Sequence, residues 1–109
     1  MDLVIEINKI NDICIDKNGI LDKDQFCIRI VLLHFTLHFE GVDVSEYYSI
    51  INKQLYRYLG PGYNLSSCLQ FLEGKRGQAV LNRIKGDLLK DMSPTLFFEI
   101  FKSYLHGEN

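Results

Sequence analysis

The sequence predicts an all-α protein, a compact single-domain helical bundle of about five to six helices that occupies residues 1–109. Apolar residues make up 47% of the chain and charged residues 24%, the balance of an ordinary globular protein rather than of a disordered one. Apolar side chains recur at intervals of three and four over most of its length, which is the period of an amphipathic helix. The two prolines, Pro61 and Pro94, fall between such segments, and no linker divides the chain.

The first segment fits either a helix or a strand. Apolar residues from Leu3 to Cys14 recur at helical spacing, which favours a helix over residues 2–15. Leu3, Ile5 and Ile7 also alternate with polar residues, as they would in a strand, and isoleucine favours strands. We therefore predict a helix here and keep a β-strand as the alternative.

A second helix is predicted over about 24–39, after a turn at 16–19. Asp22 or Asp24 is expected to cap its N-terminus. Because apolar residues lie on nearly all of its faces, we expect it to be the buried central helix. Residues 35–40 alternate between apolar and polar side chains, so a strand remains the alternative for that stretch.

Four further helices are bounded by glycine, proline or polar capping residues. They are predicted at about 45–59, 65–73, 76–91 and 94–105. The first of the four has an apolar stripe that includes Tyr47. Tyr48 and Tyr56 fall outside that stripe and are expected at the surface.

The sequence offers few groups for catalysis or metal binding. His34 and His38 lie four residues apart and share a helix face, but no third metal ligand is adjacent. We interpret them as polar residues that neighbouring groups satisfy. The three cysteines form no CxxC pair and each sits among apolar residues, which predicts reduced, buried thiols. We therefore predict neither a cofactor nor an enzyme.

Residues 14–25 resemble the calcium-binding loop of EF-hand proteins. Asp16 and Gly19 stand at the third and sixth positions of that loop. However, Cys14 and Gln25 occupy the first and twelfth positions, and the twelfth normally supplies a bidentate carboxylate. We interpret this stretch as a turn followed by a helix cap, without calcium.

Residues 64–77 are similar to the recognition-helix region of repressor-type helix-turn-helix proteins. The resemblance implies a DNA-binding unit within residues 45–90. Its phosphate contacts would come from Lys75, Arg76, Arg83, Lys85 and Lys90. The connection 59–64 is longer than the usual three to four residues, and the predicted reading helix, 66–73, carries no lysine or arginine. DNA binding is therefore the alternative function.

The charge is unevenly distributed along the chain. Residues 1–50 contain nine acids and four bases, a net charge of −5, whereas residues 51–109 contain five acids and eight bases, a net charge of +3. Such asymmetry indicates either a charged partner or the ordinary scatter of charges over a solvated surface. No apolar run is long enough to span a membrane, and the N-terminus lacks the basic region of a signal peptide, so we expect a cytoplasmic protein.

These observations predict a small protein-binding module. An inhibitor, or an immunity or antitoxin-type protein that neutralises a basic toxin or nuclease by binding it, fits the size and the acidic first half. The predicted contact residues share an acidic or exposed aromatic character. They are Asp22, Asp24, Glu40, Asp43, Glu46 and Tyr48.

Overall fold

The chain folds into six α-helices and one 3-10 turn within residues 2–102, which the computed structural model describes. This arrangement confirms the predicted all-α bundle. None of these helices is both long and apolar enough to cross a membrane. In chain order the helices are α1 (Leu3–Cys14), α2 (Lys23–Phe39), α3 (Tyr48–Leu59), α4 (Leu65–Glu73), α5 (Lys75–Asp91) and α6 (Pro94–Phe101).

The central element of the bundle is α2, as its apolar faces predicted. It packs against α1, α4, α5 and α6. A helix with one apolar stripe could not satisfy four neighbours, which explains why the buried residues of α2 lie on several faces. Full burial of one such side chain is worth about 1.5–3 kcal/mol. The buried residues are Phe26, Cys27, Ile28, Ile30, Val31 and Leu37.

Both segments with a strand alternative are helical. The first forms α1, which buries Ile7 and Cys14 against the rest of the bundle. These two residues are seven positions apart, two helical turns, so both face the core from a helix. Residues 35–39 complete α2, because Leu37 must point into the same core as the residues one and two turns before it.

Four of the helices begin at a side-chain cap of the kind that sequence patterns indicate. At the start of α2 the cap is Asp22 rather than Asp24, and its carboxylate accepts a hydrogen bond from the backbone N–H of Gln25. At α4 the cap is reciprocal, since Asn64 and Ser67 each accept from the other's backbone N–H. Each such cap contributes about 1 kcal/mol.

The predicted helix at 45–59 is wrong at its start. Val44–Glu46 form a 3-10 turn, and the α-helix begins only at Tyr48. Tyr47 interrupts the two because its backbone, at φ −129° and ψ −11°, lies outside the helical range. Its side chain is only 3% exposed, so burial of the ring holds the backbone in this conformation.

The corner between α4 and α5 consists of a single residue, Gly74. A Cβ atom at Gly77 would lie 1.9 Å from the carbonyl oxygen of Phe71, so the two helices approach closely only because Gly77 has no side chain. As a result α5 begins at Lys75, one residue before its predicted start, and presents Arg76 to the first turn of α2.

The last predicted helix, 94–105, is described as far as Phe101, where α6 ends. Phe97 and Phe101 are buried, as its apolar stripe predicted. Ser93 caps the helix. The predicted end of the helix and Tyr104, which belongs to the same predicted stripe, lie outside the described residues.

Candidate functional site

The six residues predicted to contact a partner lie near opposite ends of α2. Asp22 and Asp24 are at its N-terminus. Because an α-helix rises about 1.5 Å per residue, roughly 25 Å separate them from the C-terminal end. The structure therefore divides the predicted contact surface into two groups. The second group, at the C-terminal end and in the connection to α3, comprises Glu40, Asp43, Glu46 and Tyr48.

The two aspartates at the N-terminal end are bound to arginines of α5. The Arg76 guanidinium donates to both carboxylate oxygens of Asp24, with Nη2 2.7 Å from Oδ2 and 2.8 Å from Oδ1. Nη2 of Arg83 lies 3.1 Å from Oδ2 of Asp22. Burial alone would raise the pKa of Asp22, but hydrogen bonds from the Gln25 backbone and from Arg83 outweigh it and hold this pKa below its usual value.

These ion pairs join the acidic half of the chain to its basic half. Asp24 and Arg76 are 52 residues apart in sequence, and Asp22 and Arg83 are 61 apart. The arginine side chains remain more than half exposed, so each pair contributes about 0–1 kcal/mol. Part of the charge asymmetry of the sequence is therefore satisfied within the molecule.

The second group lies on the α2–α3 corner, which we define as residues 39–50. The carboxylates of Glu40, Asp43 and Glu46 are exposed, and within residues 2–102 none of them takes part in an ion pair. Asp43 caps the 3-10 turn, and hydrogen bonding to Ser45 lowers its pKa. Asp43 is thus ionised at neutral pH.

Apolar side chains are exposed on the same corner. Phe39 is 60% exposed and Tyr48 is 44% exposed, and Val44 and Ile50 are also exposed. On α3, Tyr48 and Tyr56 both line a shallow depression. The sequence analysis identified Tyr48 and Tyr56 but missed Phe39, because it assigned the end of α2 to the buried helix.

A groove of about 700 Å³ lies beside the corner, between the start of α1, the end of α2 and the start of α3. Two carboxylates, Asp2 and Glu46, stand among its lining residues. A second, smaller depression of about 340 Å³ shares Val42 with the groove and includes Asp43. The other residues that line the groove are Leu3, Val4, Leu37, Val42, Tyr47 and Ile50.

A contact between the side chains of His34 and Tyr47 links α2 to this corner. Nδ1 of His34 lies 2.8 Å from the Tyr47 hydroxyl, which also donates to the backbone carbonyl of His34 at 3.4 Å. Burial lowers the pKa of His34, and the neighbouring His38 lowers it further. Burial also raises the pKa of Tyr47, with a smaller contribution from Asp43. The neutral forms of both rings are therefore favoured.

In the loop that resembles an EF-hand, the carboxylate of Asp16 binds the backbone of the loop itself. Oδ1 of Asp16 accepts hydrogen bonds from the backbone N–H groups of Asn18 and Ile20. Ile15 and Leu21 close the loop as an isolated antiparallel bridge. Within residues 2–102 no three histidine, cysteine or carboxylate side chains are grouped as metal ligands. The turn-and-cap interpretation accounts for the hydrogen bonds of this loop.

The region that resembles a helix-turn-helix protein spans α3, α4 and α5. Residues 60–64 separate α3 from α4, so this connection remains longer than in the family that it resembles. Arg76 and Arg83 are engaged by the aspartates of α2. Lys75 and Lys85 are exposed and form no ion pair with residues 2–102. DNA binding remains a prediction.

All three cysteines are free and buried, as predicted. Cys27 and Cys68 are neighbours where α2 packs against α4. This contact and burial raise the pKa of Cys68. Burial raises the pKa of Cys14 to about 11. These two thiols are protonated at neutral pH and have little nucleophilic character.

The groove is the feature that sequence reasoning missed. Its walls come from residues near positions 3, 40 and 50, and no local pattern indicates that these segments converge. The only partial signal was the exposed carboxylate of Glu46 close to Tyr48. No family model, curated protein or solved structure matches this chain.

Proposed function

We propose that this chain is a protein-binding module that covers and inhibits a basic partner, in the manner of an immunity or antitoxin-type protein. The observation that carries the proposal is the α2–α3 corner, where unpaired carboxylates stand beside exposed aromatic and aliphatic side chains. Asp22 and Asp24, which already bind arginines of the same chain, are not part of the proposed surface.

The chemistry of the corner suits rapid and selective association. Unpaired carboxylates attract a basic partner over distances of about 8–10 Å at physiological ionic strength and so raise the association rate. Tyr48 supplies an aromatic anchor of the kind that dominates binding energy once it is desolvated. Glu40, Asp43 and Glu46 of the same corner would supply complementary charge, whereas Lys53 lines the depression beside Tyr48.

We place this activity in the cytoplasm and propose that it is stoichiometric rather than catalytic. Three free, buried cysteines suit a reducing compartment, where thiols are not driven into disulfides. Inhibition by covering a partner needs no nucleophile or metal from this chain, only a surface that excludes substrate from the partner's own site.

The test is recovery of the partner with the tagged full-length chain from its native host, after nuclease treatment of the lysate. We expect one protein at equal stoichiometry. Glu46→Lys should weaken its binding about tenfold. Asp12→Lys, which reverses an exposed carboxylate at the far end of α1, is the matched control and should change the affinity less than twofold.

Two outcomes would overturn this proposal. The first is the absence of any stoichiometric protein. The second is recovery of nucleic acid by a surface that depends on Lys75 and Lys85, with an affinity that falls steeply as salt increases. That second result would establish the DNA-binding alternative in place of protein binding.

A further inference from the structure

Resting on the proposed function, we infer that the groove beside the α2–α3 corner receives an apolar side chain of the partner, flanked by lysine or arginine. The occupant is thus a basic amphipathic segment of another protein. The feature that assigns it is a lining that combines apolar side chains with two carboxylates, those of Asp2 and Glu46.

The floor of the groove selects apolar groups. Leu37 and Val42 line the groove together with Val4 of α1 and Ile50 of α3. Its volume of about 700 Å³ is within the range of roughly 300–1,000 Å³ found for clefts that bury most of a ligand. Removing these side chains from water favours the binding of an apolar group.

The edge of the groove selects positive charge. Neither the groove nor the adjoining depression is lined by a lysine or an arginine, whereas Asp2, Asp43 and Glu46 contribute carboxylates. A cation beside the inserted apolar group would meet charges that no residue within 2–102 neutralises by an ion pair. An acidic segment would meet like charges, which are repelled.

A second copy of this chain is disfavoured as the occupant. Among the lysines that form no ion pair with residues 2–102, Lys75 and Lys85 lie on α5, which contributes no residue to the groove, and Lys53 of α3 lines a separate depression. An acidic face of one copy on the basic face of another would be a head-to-tail contact, which forms rings or open filaments rather than a closed pair. The charge pattern therefore assigns the groove to a different protein.

The experiment uses the full-length chain labelled with ¹⁵N and two synthetic peptides that share the same leucine positions. One peptide carries lysines between the leucines and the other carries glutamates. We expect the lysine peptide to shift the amide signals of Val4, Val42 and Ile50. The glutamate peptide should leave these signals unchanged, and binding of the lysine peptide should weaken as salt increases.

Two variants of α1 distinguish binding of the lysine peptide in the groove from its general attraction to an acidic protein. Val4→Lys places a cation in the groove and should weaken binding of the lysine peptide about tenfold. Ile13→Lys changes an exposed isoleucine at the other end of the same helix and should have no effect. Thermal unfolding of both variants verifies that each remains folded.

The same variants distinguish this inference from the proposed function. If Val4→Lys and Glu46→Lys both lose the native partner, both are supported. If Val4→Lys retains that partner while Glu40→Lys, on the same corner but outside the groove lining, loses it, the groove is not the site and the protein-binding function stands. Shifts confined to other acidic regions, or concentration-dependent self-association abolished by Val4→Lys, would also overturn the inference.

Discussion

The two ends of α2 carry similar residues with different roles. At the N-terminal end, Asp22 and Asp24 face arginines of α5 and help to hold two helices together. At the C-terminal end, Glu40, Asp43 and Glu46 form no ion pair with any of the described residues. The sequence analysis treated all five carboxylates as one acidic surface.

The difference between the two ends arises from the second half of the chain. The tight α4–α5 corner brings α5 alongside α2 and delivers Arg76 to Asp24. At the other end, where the α2–α3 corner borders the groove, no lysine or arginine among the described residues forms an ion pair with the carboxylates. A carboxylate that is paired within its own chain contributes to the fold, and an unpaired one is available to a partner.

The largest expected effect comes from breaking the corner that supplies the arginines. Gly77→Ala places a methyl group where only 1.9 Å separates it from the Phe71 carbonyl oxygen, so α5 must shift away from α4. We expect a loss of about 2–3 kcal/mol in the free energy of unfolding, measured by urea denaturation. Arg76 should then be displaced from Asp24.

Gly86→Ala is the matched control for that substitution. Gly86 belongs to the same helix, but a Cβ atom there meets nothing within 4 Å. Alanine is the better helix former by about 1 kcal/mol, so this variant should be more stable than the parent protein. Equal stability of the two alanine variants would show that the α4–α5 corner tolerates a side chain.

The next largest effect on stability is expected when a carboxylate is removed from one end of α2 rather than from the other. Asp22→Ala removes both the helix cap and the partner of Arg83, and should cost about 1–2 kcal/mol of unfolding free energy. Glu40→Ala should change stability by less than about 0.5 kcal/mol. Asp22→Asn, which preserves the cap, should recover much of the loss. The free energy of unfolding of the three variants is measured by chemical denaturation. An equal loss in Glu40→Ala and Asp22→Ala would contradict the comparison.

A smaller effect is expected on the pH dependence of stability, through His34 in the C-terminal half of α2. Because burial lowers the pKa of His34, the unfolded chain binds this proton more readily than the folded chain does. Stability is therefore fully present above a pH of about 6.5, the ordinary value, and falls as the pH decreases toward the folded-state pKa. Urea denaturation across this range should show the decrease.

Two glutamine variants identify the histidine responsible for that decrease. His34→Gln should remove the component that belongs to the buried ring, whereas His38→Gln, at an exposed position, should retain most of it. If the free energy of unfolding of His34→Gln decreases with pH as much as that of the parent protein, the contact between His34 and Tyr47 does not control the decrease.

The smallest effect is the coupling between Asp24 and Arg76 themselves. A double-mutant cycle with Asp24→Asn and Arg76→Gln should give about 0.2–1 kcal/mol, since the pair is partly exposed. Added salt should reduce the coupling. A cycle between Glu40 and Arg76, at opposite ends of α2, should give no coupling.

Most of the fold was predictable because it depends on local signals. The spacing of apolar residues located α4 and α5 to within one residue, and Ser93 marked the start of α6. For α2 the sequence left Asp22 and Asp24 as alternative caps, and the structure has Asp22. The start of α3 was not predictable. Its position depends on Tyr47, whose ring is buried against His34 from a different helix.

The candidate site was predictable only in part. Exposure of Tyr48 followed from its place outside an apolar stripe, and the carboxylates followed from composition. Which carboxylates are paired depends on contacts between residues 52 and 61 positions apart, for which the sequence offers no local pattern. Phe39 was missed because a helix that is apolar on all faces does not indicate where its last turn emerges from the core.

By itself the sequence determined the helices and the central place of α2, since periodicity and capping act within a few residues along the chain. Only the tertiary structure decided that Asp22 and Asp24 support the fold while Glu46 borders a groove. The physical reason is that the pairing of a charge depends on which side chains lie within a few ångströms in space. Here that was set by the close approach of α4 and α5 at Gly77.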